Sequence, residues 1–165
     1  FQISDYVIQL DDDNIFSPDA LRYFEWAKQF GNDPRNLTVA AWRNPTGWIP
    51  GTSTKPEGED SAVSRHAHFT CYGWAIWKDR WDEIKTSWPM GMDYPWWDET
   101  LCYKTRGDRL ELSPNVSRAI NIGVNNGMHP GTDKTFPYWA GMDGFAQQQD
   151  FHLTDSIAPH DGKIG

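Results

Sequence analysis

A short apolar run that stops against three acids constrains this chain more than any other feature. Tyr6-Val7-Ile8-Gln9-Leu10 is mostly apolar and bounded, so it reads as a buried strand. It ends in Asp11-Asp12-Asp13. Three adjacent carboxylates repel one another unless a cation or solvent offsets them. In open α/β sheets, ligands bind beyond the carboxyl ends of the strands. Mn²⁺ and Mg²⁺ are hard ions that take carboxylates together with phosphate oxygens. A strand ending in an acidic triplet can therefore hold a metal–diphosphate. It can equally be a solvated acidic turn leading into a helix, and the triplet alone favours neither.

The rest of the chain alternates. Ser17-Pro18-Asp19 reads as an N-cap, a proline at the first helical position and an acidic first turn. Ala20, Phe24 and Ala27 follow at helical spacing, and Gly31 is a stop. Asn36 to Trp42 reads as a second strand. Residues 43–64 are rich in Gly, Pro, Thr, Ser and Glu and read as a long binding loop or lid. Tyr72 to Trp77 is a third strand. Asp79 starts a helix with Trp81, Ile84 and Trp88 on one face, ended by Pro89. A further helix runs from Trp96 to near Gly107, and Arg109–Leu112 and Ser117–Ile122 read as strands. After Gly123 the chain turns polar and Gly-rich, and its last part shows no period. Strands alternating with helices predict an α/β class, and order alone leaves the sheet parallel or mixed.

With 165 residues the chain is long enough for one domain with a core. It carries 15 basic and 23 acidic side chains, a net charge of −8. That argues against a nucleic-acid partner, which needs a basic surface. Ten Trp, eight Phe and six Tyr fill a core or stack on sugars, and core filling is the commoner fate. Cys71 and Cys102 allow one bridge without implying it. Two sequons, Asn36-Leu37-Thr38 and Asn115-Val116-Ser117, matter only in a secretory lumen. No transmembrane run or signal-peptide pattern is seen. The first residue, Phe1, lies close to a strand, so the chain reads as a fragment or a processed piece.

Two further groups carry candidate chemistry. Trp97-Asp98-Glu99 places two carboxylates at the start of a helix, where the dipole alone accounts for them. A catalytic role needs one of them beside a sugar hydroxyl, accepting its proton as the hydroxyl attacks. The neighbouring tryptophans would exclude water. His66-x-His68 resembles a zinc pair, but no third ligand has convincing spacing, so both histidines read as loop residues. His129 lies in a polar segment, Asn125 to Gly131, that either closes over a ligand or simply turns.

Taken in order, these residues resemble the inverting GT-A glycosyltransferases of the β-1,2-N-acetylglucosaminyltransferase I type, including the protein O-mannose relative. The resemblance runs over roughly residues 5 to 136. It includes the acidic triplet, Ser17-Pro18-Asp19 and Ala41-Trp42-Arg43-Asn44. It continues through Tyr72-Gly73-Trp74-Ala75, Ser87-Trp88-Pro89, Trp97-Asp98-Glu99 and Ser113-Pro114-Asn115-Val116-Ser117-Arg118. It implies an α/β, GT-A-like nucleotide-diphospho-sugar transferase fold with a mixed central sheet. The nucleotide-binding N-terminal half would be missing, leaving an exposed sheet edge that favours self-association. Residues 1–136 would be the catalytic, acceptor-side part and 137–165 a loosely structured extension.

The resemblance also implies roles. Asp13 would ligate Mn²⁺ (or Mg²⁺), with Asp11 and Asp12 on the donor side. Asp98 would be the catalytic base, flanked by Trp97 and Glu99 at the donor. His129 would belong to a loop, 124–132, that orders over the nucleotide sugar. The implied donor is a UDP-sugar, by default N-acetylglucosamine, and the acceptor a glycan or glycoprotein, by default mannose, with Golgi residence if the source is eukaryotic. The chain departs from the family pattern at several places: Asp11 stands for a Glu, Glu99 for a second Asp and Met128 for a Ser. Thr38 and Glu111 stand near the positions of the family's disulfide cysteines. Two other classes fit the residues alone, a carbohydrate-binding module using tryptophan faces and a metal-dependent phosphate or sugar hydrolase.

Overall fold

The acidic triplet lies where the sequence puts it, directly after a strand. The computed structural model describes residues 3–43, 61–67, 69–88, 101, 105–121 and 151–157. Strand β1 is Tyr6–Gln9. Beyond the acids comes β2, Asn14–Phe16, a three-residue strand too short to leave a period in the sequence. Helix α1 is Ala20–Ala27 and continues as a 3₁₀ turn, Lys28–Asn32. Strands β3, Asn36–Ala40, and β4, Ala62–His66, follow. Next come β5, Trp74–Trp77, and α2, Lys78–Ile84, with a 3₁₀ turn over Lys85–Ser87. The remaining strands are β6, Leu110–Pro114, β7, Ala119–Asn121, and β8, His152–Ile157.

Six strands form one sheet in the order β1-β5-β3-β6-β4-β8, and β2 pairs with β7 in a separate ribbon. The sheet is mixed: β3–β6 and β4–β8 are parallel and the other pairs antiparallel. The α/β class and the mixed sheet agree with the expected GT-A-like fold. Strand β4 falls where the sequence reads as loop up to residue 64. Its run Ala62-Val63-Ser64-Arg65-His66 is two apolar residues followed by three polar ones, without a strand period, and Arg65 is buried through bonds to Asn36 Oδ1 (2.9 Å) and Asp33 Oδ2 (3.1 Å). Strand β8 lies within the stretch 137–165, read from sequence as loosely structured. It has few apolar residues and is held by pairing with β4.

Register sorts the side chains onto two faces, because partners and alternate residues share a face. On the α1 side, Val39, Ala75, Leu112 and Val63 meet Tyr23, Phe24 and Ala27 of α1. Tyr23, Phe24 and Ala27 recur at helical spacing, so α1 buries one stripe. On the α2 side, Leu37, Trp74, Ile76, Phe69 and Leu101 pack with Ile84.

Two glycines are fixed by close approach. At Gly31 a Cβ would sit 2.5 Å from Trp77 Nε1, whose N–H donates to Lys28 O (3.0 Å). Gly31 therefore admits the Trp77 indole rather than stopping α1 by a left-handed turn. Gly73 has φ +76°, and a Cβ there would meet the Phe16 ring at 2.4 Å. It seats β2, and with it the end of the acidic turn.

The expected cap of α1 is also different. Asp19 makes no side-chain capping bond. It accepts from Ser17 Oγ (2.5 Å) and from Arg118 Nε (3.0 Å), and both members of the Asp19–Arg118 pair are fully buried. Arg118 O in turn accepts from Ser17 N (2.9 Å), and Arg118 N donates to Ala41 O (2.6 Å). One ion pair thus joins the start of α1, the end of β3 and the entry to β7.

Thr38 and Glu111, near the family's disulfide positions, are register partners across β3 and β6. Thr38 Oγ1 donates to Glu111 Oε2 (2.9 Å), a hydrogen bond where the resemblance would put a disulfide. Cys71 packs half-buried at the edge of the α2-side cluster, and Cys102 lies outside the described residues. Both sequon asparagines are structural. Asn36 is fully buried and donates to Phe30 O (3.1 Å), and buried Asn115 accepts from Arg43 Nη1 (3.3 Å). No described helix is long and apolar enough to cross a membrane.

Candidate active site

Strands β1, β3 and β6 point the same way, since β5 is antiparallel to both β1 and β3. Their carboxyl ends, at Asp11, Arg43 and Asn115, therefore lie along one end of the sheet. That is where ligands gather in open α/β sheets.

The acids occupy the turn between β1 and β2. Asn14 N donates to Asp11 O (3.2 Å), and Asn14 Nδ2 and Gln9 Nε2 reach the Asp11 carboxylate at 3.4 and 3.5 Å. The β2–β7 ribbon fixes the far side of the turn, with Asn14 opposite Asn121 and Phe16 opposite Ala119. Asp12 is exposed and Asp13 half-buried. Among the described residues, no donor or cation engages either carboxylate. No group of three or more His, Cys, Asp or Glu gathers to hold a metal among the described residues. The turn therefore fits an ion held by one or two carboxylates and completed by substrate phosphates, the usual Mg²⁺ arrangement, and does not fit an all-protein cage.

Trp97, Asp98, Glu99 and His129 lie outside the described residues, as does His68. His66 closes β4 with its Nε2 3.1 Å from Ser64 Oγ. Every described tryptophan is buried or half-buried, which favours core filling over an open stacking face.

Arg43 and Arg118 shape this end of the sheet, and Glu111 lies toward the amino end of β6, opposite Thr38 and His66. Arg43 is half-buried and its Nη1 donates to Ser64 Oγ (3.1 Å) and Asn115 Oδ1 (3.3 Å). Burial lowers its pKa from the ordinary value, and the charge persists because guanidinium does not deprotonate in proteins. Glu111 is buried, and burial pushes its carboxyl up to about 8 against the opposing pull of Thr70 and Thr38. Arg118 is the counter-ion of Asp19 described above; its place in Ser117-Arg118 was its only sequence signal. An open cleft of about 660 Å³ lies at the other end of the sheet, lined by Tyr6, Glu25, Lys28, Trp77 and Asp82. It contains none of the candidate residues.

The sequence matches the GNT-I family over residues 1–133. The chain belongs to the GNT-I family. Membership makes it a glycosyltransferase-family protein, whose chemistry joins a sugar donor to a glycan acceptor.

Proposed function

We propose that this chain is a metal-dependent, inverting glycosyltransferase that uses a UDP-sugar donor, by default UDP-N-acetylglucosamine, and a glycan hydroxyl, by default on mannose. The observation that supports this most is the acidic turn. Its carboxylates follow β1 at the carboxyl end of the strand, and Asp12 and Asp13 are unengaged by any described donor, in a chain of the GNT-I family. Asp13 is the metal-ligand candidate, and Asp11 and Asp12 face the donor. A divalent ion there supplies positive charge opposite the leaving diphosphate.

The other steps fall to the chain's own side chains. Asp98 takes the proton of the acceptor hydroxyl as its oxygen attacks the anomeric carbon. The sugar–phosphate bond breaks on the opposite side, so one displacement inverts the configuration. Trp97 and Glu99 stand beside the base. His129 follows β7, whose last residue, Asn121, pairs with Asn14 just past the acids. That connection supports a role for the 124–132 loop over the donor.

A transfer assay with UDP-N-acetylglucosamine and a panel of mannosides tests the reading. Expected are a product of inverted configuration and losses of about 10²–10⁴-fold in Asp98→Asn and in Asp13→Asn. Sugar released to water with no acceptor preference would instead identify a hydrolase. Glycan binding that survives both substitutions, with no transfer in the wild type, would identify a binding module.

A further inference from the structure

Among the described residues, Arg43 is a cation without a counter-ion. Buried or half-buried charges are ordinarily paired, as the other inward-facing arginines are: Arg65 with Asp33, Arg80 with Asp79 and Arg118 with Asp19. Among the described residues, no carboxylate pairs with Arg43. Its bonds use Nη1 alone, to Ser64 Oγ and Asn115 Oδ1, both neutral. Nε and Nη2 have no acceptor among the described residues. Those two nitrogens form the edge of the guanidinium fork that takes two oxygens of one carboxylate or phosphate.

The side chain is also held in place. Arg43 N donates to Ser117 Oγ (3.1 Å), and the Arg118 N to Ala41 O bond pins the adjoining segment. Ser64 Oγ lies 3.5 Å from Asn115 Oδ1 and 3.1 Å from His66 Nε2, so the groups bonded around Nη1 are polar. Arg43 follows β3, two strand spacings across the sheet from the acidic turn after β1, or roughly 10 Å. That is about the span of a sugar ring beyond a diphosphate held at the turn.

The geometry points to an oxyanion subsite at Arg43, completed by Ser64 and Asn115, that takes an acidic substituent (carboxylate, sulfate or phosphate ester) on the acceptor glycan. The subsite rests on the transferase reading only for the word acceptor.

The test is calorimetric titration of the full chain with methyl glucuronoside, mannose 6-phosphate and neutral methyl mannoside, beside a UDP–Mn²⁺ titration. Wild type, Arg43→Gln and Arg43→Lys are compared. The acidic sugars are expected to bind about tenfold or more tighter than methyl mannoside, as a charge-assisted paired contact provides. That preference disappears in Arg43→Gln and is partly kept in Arg43→Lys, while UDP–Mn²⁺ affinity stays within about twofold. If Arg43→Gln does not fold, salt titration of the wild type decides: the preference must fall with ionic strength while methyl mannoside binding does not. Acidic sugars that bind no better than the neutral one, or a preference that survives Arg43→Gln, overturn the subsite. Loss of UDP–Mn²⁺ binding in Arg43→Gln without any acidic-sugar preference assigns Arg43 to the donor diphosphate and also overturns it. A wild type that prefers acidic sugars through Arg43 but fails to bind UDP–Mn²⁺ upholds the subsite and sinks the transferase reading instead.

Discussion

The two faces of the central sheet are built from the same strands and do opposite things. On the α1 side, Val39, Ala75, Leu112 and Val63 meet the aromatic stripe of α1, and the face is mostly apolar, with Arg65 of β4 its charged member. On the α2 side, the β5–β3 half is apolar, with Trp74 and Ile76, but the β6–β4 half is not. There Thr38, Glu111, Ser113, Ser64 and His66 share the face by register, with Arg43 and Asn115 at its end. Polar side chains in such places cost stability unless each finds a partner. On this half Thr38, Thr70 and Glu111 bond to one another, as do Ser64, Asn115 and Arg43.

The comparison breaks first, and most severely, at the ion pair that locks the α1 side to the acidic turn. Arg118→Met leaves Asp19 buried and unpaired and is expected to lose about 3–5 kcal/mol in urea unfolding, with Asp19→Asn/Arg118→Met losing less. A loss below about 1 kcal/mol would show that the pair carries no such role.

Neighbours on one strand give the sharpest contrast. Leu112→Ala should lose about 2–5 kcal/mol and Ser113→Ala under about 1 kcal/mol, although both residues are buried. Equal losses would mean that the two faces are equivalent for stability.

A smaller effect belongs to Glu111. Its folded pKa of about 8 lies above its ordinary value of 4.5, so the folded chain holds a proton that the unfolded chain releases. Stability from this group is therefore full below about pH 4.5 and falls as pH rises to about 8, by at most a few kcal/mol. Glu111→Gln keeps the shape and should flatten that slope in denaturant titrations at pH 5 and pH 8. An unchanged slope would place the titration elsewhere.

Gly73→Ala is expected to lose about 1–3 kcal/mol in urea unfolding, from positive φ and the crowding of Phe16.

The sequence was legible where chemistry follows a period. The acidic turn, α1, β3, β5 and α2 were readable because apolar residues recur at strand or helix spacing. Strand β4 was not, because its α2-side face carries Ser64 and His66 and its other face includes an arginine buried by long-range bonds. Strand β2 is three residues long, and β8 depends on a partner ninety residues earlier. The donor-side acids were readable from local sequence. Arg43 and Glu111 were not, since the meaning of each comes from neighbours on other strands.

Whether the acidic turn is a donor site is measured most directly by titrating UDP into the full chain with and without Mn²⁺, in the wild type and in Asp13→Asn. A donor site built on the turn after β1 predicts binding that requires Mn²⁺ and weakens about a hundredfold or more when Asp13 is neutralised. UDP binding indifferent to Mn²⁺ and to Asp13→Asn, or no UDP binding under either condition, would contradict it.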